Sequence, residues 1–340
     1  MNSSLPRGDA GARAPLVFMF SGQGSHYYQM AAAFYQENPL FRRHLDRLDA
    51  KAVALMGASV VEHLYQPGKT LRDAFTLTRF SHPGIYMIEC ALANTLADLG
   101  VVPDVLMGSS MGTFVAAAIA GCIDQEDALA IVIEQARLLE RHCETGAMLA
   151  VLAPPSLFDE VWWLHARTEL AGINMPNHFV VSGREHDIAE AKRLLEERGI
   201  VCQQLNVSYA FHSRHIHGLR PHFLAALGTT RLTPSQLPII CSARAAPVSE
   251  FTYEDLWNIA VKPIRFRDSV ALLESEGSHH YIDLGPSGTL ATFVKYCLGR
   301  DSRSTTHTIL TPFGNEGPNL RAVVDRFARP PAASGRYRIA

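Results

Sequence analysis

An excess of charge of either sign is missing from this chain of 340 residues. It carries 31 Lys and Arg against 33 Asp and Glu, a formal net charge of −2. Because a protein that coats nucleic acid must neutralise many phosphates, this balance excludes that class, and we expect no nucleic-acid partner. Long apolar runs are also missing: the stretch Val115–Ile123 is far shorter than the ~20 residues of a membrane-spanning helix. The first 14 residues are polar and lack the apolar core of an export signal, which predicts a cytoplasmic protein without membrane contact.

Closely spaced cysteines are absent as well. No CxxC pair occurs, and a zinc ribbon or a redox motif needs such a pair. We therefore predict free thiols, no metal site and no cofactor of the protein's own. The cysteines concerned are Cys90, Cys122, Cys143, Cys202, Cys241 and Cys297.

Apolar residues are plentiful, at 47% of the chain, which is enough for a sizeable core. Leu16–Phe20 is a short apolar run closed by Ser21–Gly24, the pattern of a buried strand that enters a turn. Strands that alternate with helices predict a mostly parallel, doubly wound α/β sheet. The pattern continues with predicted helices at 27–35, 38–55 and 84–99 and a predicted strand at 103–107.

The pattern changes near Gly146, where shorter elements follow one another over about sixty residues. Such a run has the size of a small α+β insert. From Pro238 the larger α/β pattern resumes, and Tyr281–Leu284 runs as a strand into Gly285–Gly288. Residues 1–14 and 329–340 are predicted tails. Within the insert, we predict strands at 147–152, 179–182 and 201–207 and helices at 156–167 and 188–198.

Gly108–Gly112 has the pattern G-x-S-x-G and lies between a predicted strand and an Ala-rich helix. This is the context of a nucleophile elbow, a tight turn that projects the serine hydroxyl outward at the start of a helix. Negative charge that develops there is favoured by the helix N-terminus. The central residue, Ser110, is therefore the candidate nucleophile, and Ser109 is a neighbouring hydroxyl.

A serine nucleophile needs a base, and the segment Ser208–His217 concentrates histidines. It resembles a strand end followed by a loop, which is an ordinary place for a catalytic base. A metal site formed by His212, His215 and His217 is the alternative, although no carboxylate or thiolate ligand lies near them in the sequence. We interpret His279 and His280 as part of a solvated loop.

The elbow and the histidine segment belong to a set of five motifs in a fixed order: Phe20–Ser25, the elbow at Ser110, Tyr209–His212, Lys262–Phe266 and Asp283–Pro286. Over roughly residues 15–315 the set resembles the acyltransferases of fatty-acid and polyketide synthesis, the malonyl-CoA:ACP transacylase family. The resemblance implies an α/β fold, with an α/β-hydrolase-like large domain and an inserted ferredoxin-like small domain. We expect the large domain at 15–146 and 209–315, the small one at 147–208, and a C-terminal helix and tail at 316–340.

The resemblance also implies roles for individual residues. Ser110 would take the acyl group as an ester, and His212 would be its general base. The backbone N–H groups of Gln23 and Met111 would form the oxyanion hole. A backbone carbonyl just before the proline of the Lys262–Phe266 motif, near Ile259, would orient the histidine. The substrate would be an acyl thioester, and an acyl carrier protein acting in trans would bring its phosphopantetheine.

One departure from the family pattern bears on the substrate. In malonyl-type enzymes an arginine 25 residues after the nucleophile grips the free carboxylate, and here that position is Gln135. Asp124 is the expected N-cap of the predicted helix that contains Gln135. Gln135 falls on the apolar stripe of this helix, so its side-chain amide faces inward. The amide either lines the pocket or, as the alternative, makes hydrogen bonds with the backbone. Arg137 is about 200° further round and points away. A neutral amide cannot replace the charge-assisted pair, so malonyl groups should be poor substrates.

Further departures from the family pattern lie around the expected pocket. Ser109 replaces a histidine, Thr113 an acidic residue, and His82 the glutamine of a Gln-Pro pair. Tyr209 and Phe211 belong to the motif Tyr209–His212, which combines residues of two forms that are associated with substrate selectivity. We therefore expect both residues to line the pocket, and we infer no particular substrate from them.

With a glutamine in place of that arginine, the chain resembles the stand-alone acyl hydrolases of trans-acyltransferase polyketide pathways. Those enzymes clear stalled acyl chains from carrier proteins. The leading hypothesis is therefore a Ser/His enzyme that hydrolyses acyl-carrier thioesters. The alternative is a trans-acting acyltransferase that moves a malonyl or an unusual non-malonyl group onto a carrier. A third hypothesis, a catalytically silent carrier-binding protein, conflicts with the intact serine and histidine.

Overall fold

A computed structural model describes residues 13–228 and 230–329. The strands in these ranges form two sheets. They are β1 (Leu16–Phe20), β2 (Val105–Gly108), β3 (Ala147–Val151), β4 (Glu169–Met175), β5 (His178–Gly183), β6 (Cys202–Gln204), β7 (Ile239–Cys241), β8 (Ala246–Val248), β9 (Ile264–Arg265), β10 (His280–Asp283) and β11 (Thr305–Thr308).

Helices cover the sheets, and a 3₁₀ helix, Arg214–Leu219, follows the histidine segment. None of the helices within the described ranges has both the length and the apolar character that crossing a bilayer requires. The α-helices are α1 (Ala32–Glu37), α2 (Pro39–Met56), α3 (Val60–Leu64), α4 (Thr78–Asp98), α5 (Gly112–Ile119), α6 (Gln125–His142), α7 (Ser156–Glu160), α8 (Trp162–Arg167), α9 (Glu185–Glu196), α10 (Arg220–Leu227), α11 (Tyr253–Val261), α12 (Phe266–Ser275), α13 (Thr289–Cys297) and α14 (Glu316–Phe327).

The larger sheet has the order β11-β10-β1-β2-β7-β8. Its strands run parallel except for β8, which pairs antiparallel with β7. Each residue of β1 is fully buried, as expected for a central strand with helices on both faces. β1 and β2 are neighbours whose carboxyl ends, Phe20 and Gly108, lie in register. Loops that leave these two ends therefore meet at one edge of the sheet, where α/β proteins bind their ligands.

The smaller sheet has the order β6-β3-β5-β4-β9. The chain from β3 to β6 has the succession strand, helices, two strands, helix, strand, which is the ferredoxin-like pattern. The fifth strand, β9, comes from a later part of the chain and pairs parallel with β4. The predicted α/β class, with a doubly wound sheet and a ferredoxin-like insert, is confirmed.

Several element predictions differ from the structure. The strand β4 was not expected, and bulges interrupt its pairing with β5, which blurs the alternation of buried and exposed residues. The helix expected at 156–167 is divided at Val161, whose backbone is extended. The helix expected from residue 27 begins at Ala32, the one expected from 84 begins at Thr78, and α3 was not expected. The tails predicted at 1–14 and 329–340 fall almost wholly outside the described residues.

The pair His279 and His280 does not form a solvated loop. His279 is 1% exposed, and its Nδ1 lies 2.9 Å from the carbonyl oxygen of Gly277. His280 is the first residue of β10, with Nδ1 2.7 Å from Thr305 Oγ1. Two adjacent polar residues suggested a surface position, but hydrogen bonds to the neighbouring strand and turn allow both to be at least half-buried.

Candidate active site

Ser110 lies in the turn between β2 and α5, at the edge where β1 and β2 end. Its φ of 52° is in the left-handed region, which an L-residue adopts only when its surroundings impose it. Its backbone N–H donates to Ser242 Oγ at 3.2 Å, which supports the turn from a neighbouring segment. A Cβ at Gly112 would overlap the carbonyl of Phe20, so only glycine lets α5 start this close to β1. The predicted elbow is thus present with its strand, turn and helix.

His212 faces the Ser110 hydroxyl, with Nε2 2.8 Å from Oγ. Its Nδ1 lies 2.8 Å from the carbonyl oxygen of Lys262. Because a carbonyl can only accept, Nδ1 carries the hydrogen and Nε2 is left as the acceptor for the serine proton. The backbone N–H of His212 also donates to the carbonyl of Ala260 at 2.9 Å. Two contacts with one stretch of chain therefore fix both the position and the tautomer of the ring.

The orienting carbonyl is that of Lys262, which directly precedes Pro263 as the resemblance implied, although it lies three residues after Ile259, near which it was expected. Ile259 lies inside α11 and lines the cavity instead. Lys262 precedes Pro263, which disfavours the helical conformation, and its ψ of 147° is extended. The carbonyl of Lys262 therefore turns away from the helix and toward the histidine.

Burial sets the protonation state of the His212 imidazole, which is 4% exposed. Loss of hydration disfavours the charged ring and lowers its pKa to about 4, although the hydrogen bond to the Lys262 carbonyl opposes this shift. The ring is neutral at neutral pH, so it is able to accept the serine proton.

The loop after β1 packs directly on the elbow. A Cβ at Gly22 would lie 2.9 Å from the Ser110 Cβ and 3.2 Å from the backbone nitrogen of Met111. Gln23 and Met111 both line the cavity in front of Ser110. Within the described ranges, neither backbone N–H donates to another protein group. Both N–H groups are therefore free to donate to an oxyanion that develops during the reaction.

A buried carboxyl group holds this loop in place. The backbone N–H and the hydroxyl of Ser21 both donate to Glu89 Oε1, at 2.8 and 2.7 Å. Burial raises the pKa of Glu89 well above its usual range, although the two hydrogen bonds from Ser21 oppose this shift. Glu89 could not be identified from the sequence, because it lies 68 residues from Ser21 inside an apolar helix and no local pattern connects the two.

The cavity in front of Ser110 has a volume of about 350 Å³ and lies between the two sheets. The smaller sheet contributes a wall that was not anticipated, in which the Asn174 Nδ2 and His178 Nδ1 atoms lie 3.3 Å apart. Met148 and Val180 add apolar surface beside them. Among the described residues, no Lys, Arg, Asp or Glu lines the cavity. The pocket accordingly offers hydrogen bonds and apolar contact, but no formal charge.

Gln135 lines this cavity, as the helical periodicity predicted, and is 5% exposed. Its helix α6 is N-capped by Asp124, whose side chain accepts from Glu126 and Asp127, as expected. Arg137 points away: its guanidinium donates to the carbonyl of Leu55 at 2.6 Å and pairs with Glu134. Arg137 therefore cannot supply the positive charge that Gln135 lacks.

The remaining predicted pocket residues divide into two groups. Ser109, His82 and Phe211 line the cavity, and the rings of His82 and Phe211 stack at 5.4 Å between centroids. Tyr209 does not line it, contrary to the prediction. Its ring meets the Phe211 ring edge-on, with 6.3 Å between the centroids, and belongs to the main core. Tyr209 is two residues from Phe211 but does not line the cavity, a distinction that the sequence motif does not make.

The histidines after the base do not join it. His215 and His217 lie in the 3₁₀ helix Arg214–Leu219, and no group of three metal-ligating side chains suited to an ion is found in the part of the chain that the structure describes. The six cysteines are free thiols, as predicted, of which Cys90, Cys122 and Cys241 are buried.

Comparison with known proteins agrees with this geometry. Residues 17–324 match the family described as the acyl transferase domain. The chain is 42% identical over 309 residues to the "Polyketide biosynthesis acyltransferase homolog PksD" of Bacillus subtilis, with 91% of this chain and 95% of that protein covered. It is 40% identical to the BaeD homolog of Bacillus velezensis, with 93% and 98% covered. The solved malonyl-CoA:acyl carrier protein transacylase (FabD) of Xanthomonas oryzae superimposes with a TM-score of 0.80 at 22% identity, over 94% of this chain and all of that one, which shows a shared fold. The chain belongs to the acyl transferase domain family.

Proposed function

We propose that this protein hydrolyses acyl groups from the phosphopantetheine thioester of an acyl carrier protein in polyketide biosynthesis. The observation that carries the proposal is a Ser–His pair that opens into a cavity without a charged side chain among the described residues. A carboxylate that loses its water in such a cavity would find no cation, at a cost of about 2–5 kcal/mol. The pocket therefore favours neutral acyl groups over malonyl units.

The first step forms an ester on Ser110. As Oγ attacks the thioester carbonyl, its proton passes to His212 Nε2, and the new imidazolium is stabilised by the Lys262 carbonyl at Nδ1. The oxyanion would face the N–H groups of Gln23 and Met111, each worth roughly 2.7–4 kcal/mol in comparable sites. His212 then returns the proton to the departing pantetheine thiol.

The second step repeats the chemistry with a new nucleophile. His212 Nε2 takes a proton from water, the oxygen attacks the ester carbonyl, and Ser110 Oγ leaves with that proton. A thiol of a second carrier would follow the same route and give transfer instead. Transfer is the second candidate, because the family and the relatives of Bacillus subtilis and Bacillus velezensis are named for acyl transfer.

Intact-protein mass spectrometry of carrier protein tests these alternatives. Carrier loaded with acetyl, butyryl or malonyl groups is mixed with catalytic amounts of enzyme, with and without a second holo-carrier. Hydrolysis predicts that acetyl- and butyryl-carrier become free holo-carrier while malonyl-carrier is spared. Appearance of the acyl group on the second carrier, without loss to water, would establish transfer and overturn hydrolysis.

The Ser110→Ala variant separates catalysis from binding. We expect no acyl-enzyme and no thioester cleavage in this variant, because the only atom lost is the attacking oxygen. Cleavage at the wild-type rate would exclude Ser110 as nucleophile. A biological effect retained by Ser110→Ala would instead support a carrier-binding role without catalysis.

A further inference from the structure

A short polar chain crosses the wall of the cavity from Gln23 to Gln135. The Gln23 Nε2 group contacts Nδ1 of His82 and also lies 3.0 Å from Ser81 Oγ. An amide NH2 group only donates, so Nδ1 of His82 is the acceptor. In a neutral imidazole the hydrogen is then on Nε2, on the other side of the ring.

His82 is in this neutral form because burial lowers its pKa to about 3. A hydrogen bond with the Gln135 side chain opposes that shift. The Gln135 Nε2 group is buried and has no hydrogen-bond acceptor among the described residues.

A buried NH2 group without an acceptor loses hydrogen bonds that it makes in water, and native proteins rarely tolerate this away from a ligand site. Gln135 is on the cavity wall together with Phe211 and His82, in a region where the described lining carries no charge. We therefore expect the hydrogen-bond acceptor of Gln135 Nε2 to be an uncharged atom of the bound ligand.

We propose that Gln135 Nε2 donates a hydrogen bond to an uncharged oxygen in the acyl chain, beyond the thioester carbonyl. The site would then select acyl groups that carry a keto or hydroxyl oxygen over plain hydrocarbon chains. This inference rests on the proposed function, since it names the substrate class of the same site.

The test compares three thioesters of equal chain length: butyryl, 3-oxobutyryl and 3-hydroxybutyryl pantetheine. The readout is the rate at which Ser110 is acylated, followed by intact-protein mass spectrometry. For the wild-type protein, we expect the two oxygenated chains to gain roughly 2- to 10-fold over butyryl from the hydrogen bond. Gln135→Met keeps the side-chain length but removes the donor, and it should bring the oxygenated chains down to the butyryl rate measured in the same variant.

Arg137→Met is the matched control, because Arg137 lies on the same helix and faces away from the cavity. It should leave the ratio between the thioesters at the wild-type value. Comparing ratios between variants also cancels the different intrinsic reactivity of the three thioesters. An unchanged ratio in Gln135→Met would overturn the proposal.

A gain for 3-hydroxybutyryl alone would also overturn it, since the donor would then belong to the substrate. Acylation precedes the choice between water and thiol, so a failure of hydrolysis leaves this measurement intact. A protein that never acylates Ser110 with any thioester would overturn both the proposed function and this inference.

Discussion

Introducing a cation at residue 135 tests the reasoning about neutral substrates most directly. The change Gln135→Arg places a guanidinium on the wall of the cavity, at a position that is almost wholly buried. The neighbouring His82 stays neutral because burial lowers its pKa to about 3, so it does not repel the new charge. A carboxylate that enters the cavity would then find the partner that the natural protein lacks.

The magnitude follows from the environment of the pair. Removing one partner of a desolvated, hydrogen-bonded charge pair costs about 2–5 kcal/mol, and even the lower end of this range corresponds to about 30-fold in rate or affinity. We therefore expect malonyl loading of Ser110 to rise by at least ~30-fold relative to butyryl loading. The same guanidinium is buried without a partner when no ligand is bound, so the variant should also unfold at a lower temperature.

The assay is the malonyl-to-butyryl ratio of Ser110 acylation, measured by intact-protein mass spectrometry after brief incubation with each CoA thioester. Glu134→Arg is the control, since Glu134 is one residue away on the same helix and pairs with Arg137 outside the cavity. A folded Gln135→Arg protein with the wild-type ratio would refute the assignment of Gln135 to the acyl pocket.

Two further predictions concern the base. His212→Ala should lower the rate of thiol release by at least about 100-fold, because the serine proton loses its acceptor; a rate close to wild type would show that another group is the base. The acid limb of kcat/KM should fall near pH 4 and not near 6.5, since burial lowers the pKa of His212 to about 4 and the neutral ring is lost only as pH falls through that value. A profile measured from pH 3.5 to 8 with a midpoint near 6.5, on protein shown to be folded throughout, would contradict this.

Local signals explain which parts of the fold were predictable. Leu16–Phe20 was predicted to the residue, because a fully buried strand closed by a glycine turn is a contiguous apolar run. β4 was missed because it is partly exposed and bulged, so its residues follow neither the strand nor the helix period. The divided helix at 156–167 also escaped, since Val161 breaks it by its backbone conformation and not by a glycine or proline.

The site divides in the same way. The elbow at Ser110 is one short motif, and the concentration of histidines indicated the segment of the base, within which the family resemblance singled out His212. The Lys262 carbonyl, 50 residues from His212, and the Glu89 carboxyl, 68 residues from Ser21, make contacts that only the tertiary structure brings together. A backbone carbonyl carries no residue identity at all, so sequence patterns locate it only approximately.

The strand β9 affects the design of chimeras in which the small-domain insert of one enzyme replaces that of a related enzyme. Ile264 and Arg265 complete the smaller sheet by pairing with Gly172 and Ile173, yet they follow Lys262, whose carbonyl holds His212. A chimera that replaces only the continuous insert would leave one strand of the recipient against a foreign sheet edge. Any mismatch at this edge would displace Lys262, whose carbonyl aligns His212. Chimeras with a grafted insert should therefore lose turnover before they lose their fold. Transplanting residues 262–265 together with the insert is the remedy that the architecture suggests.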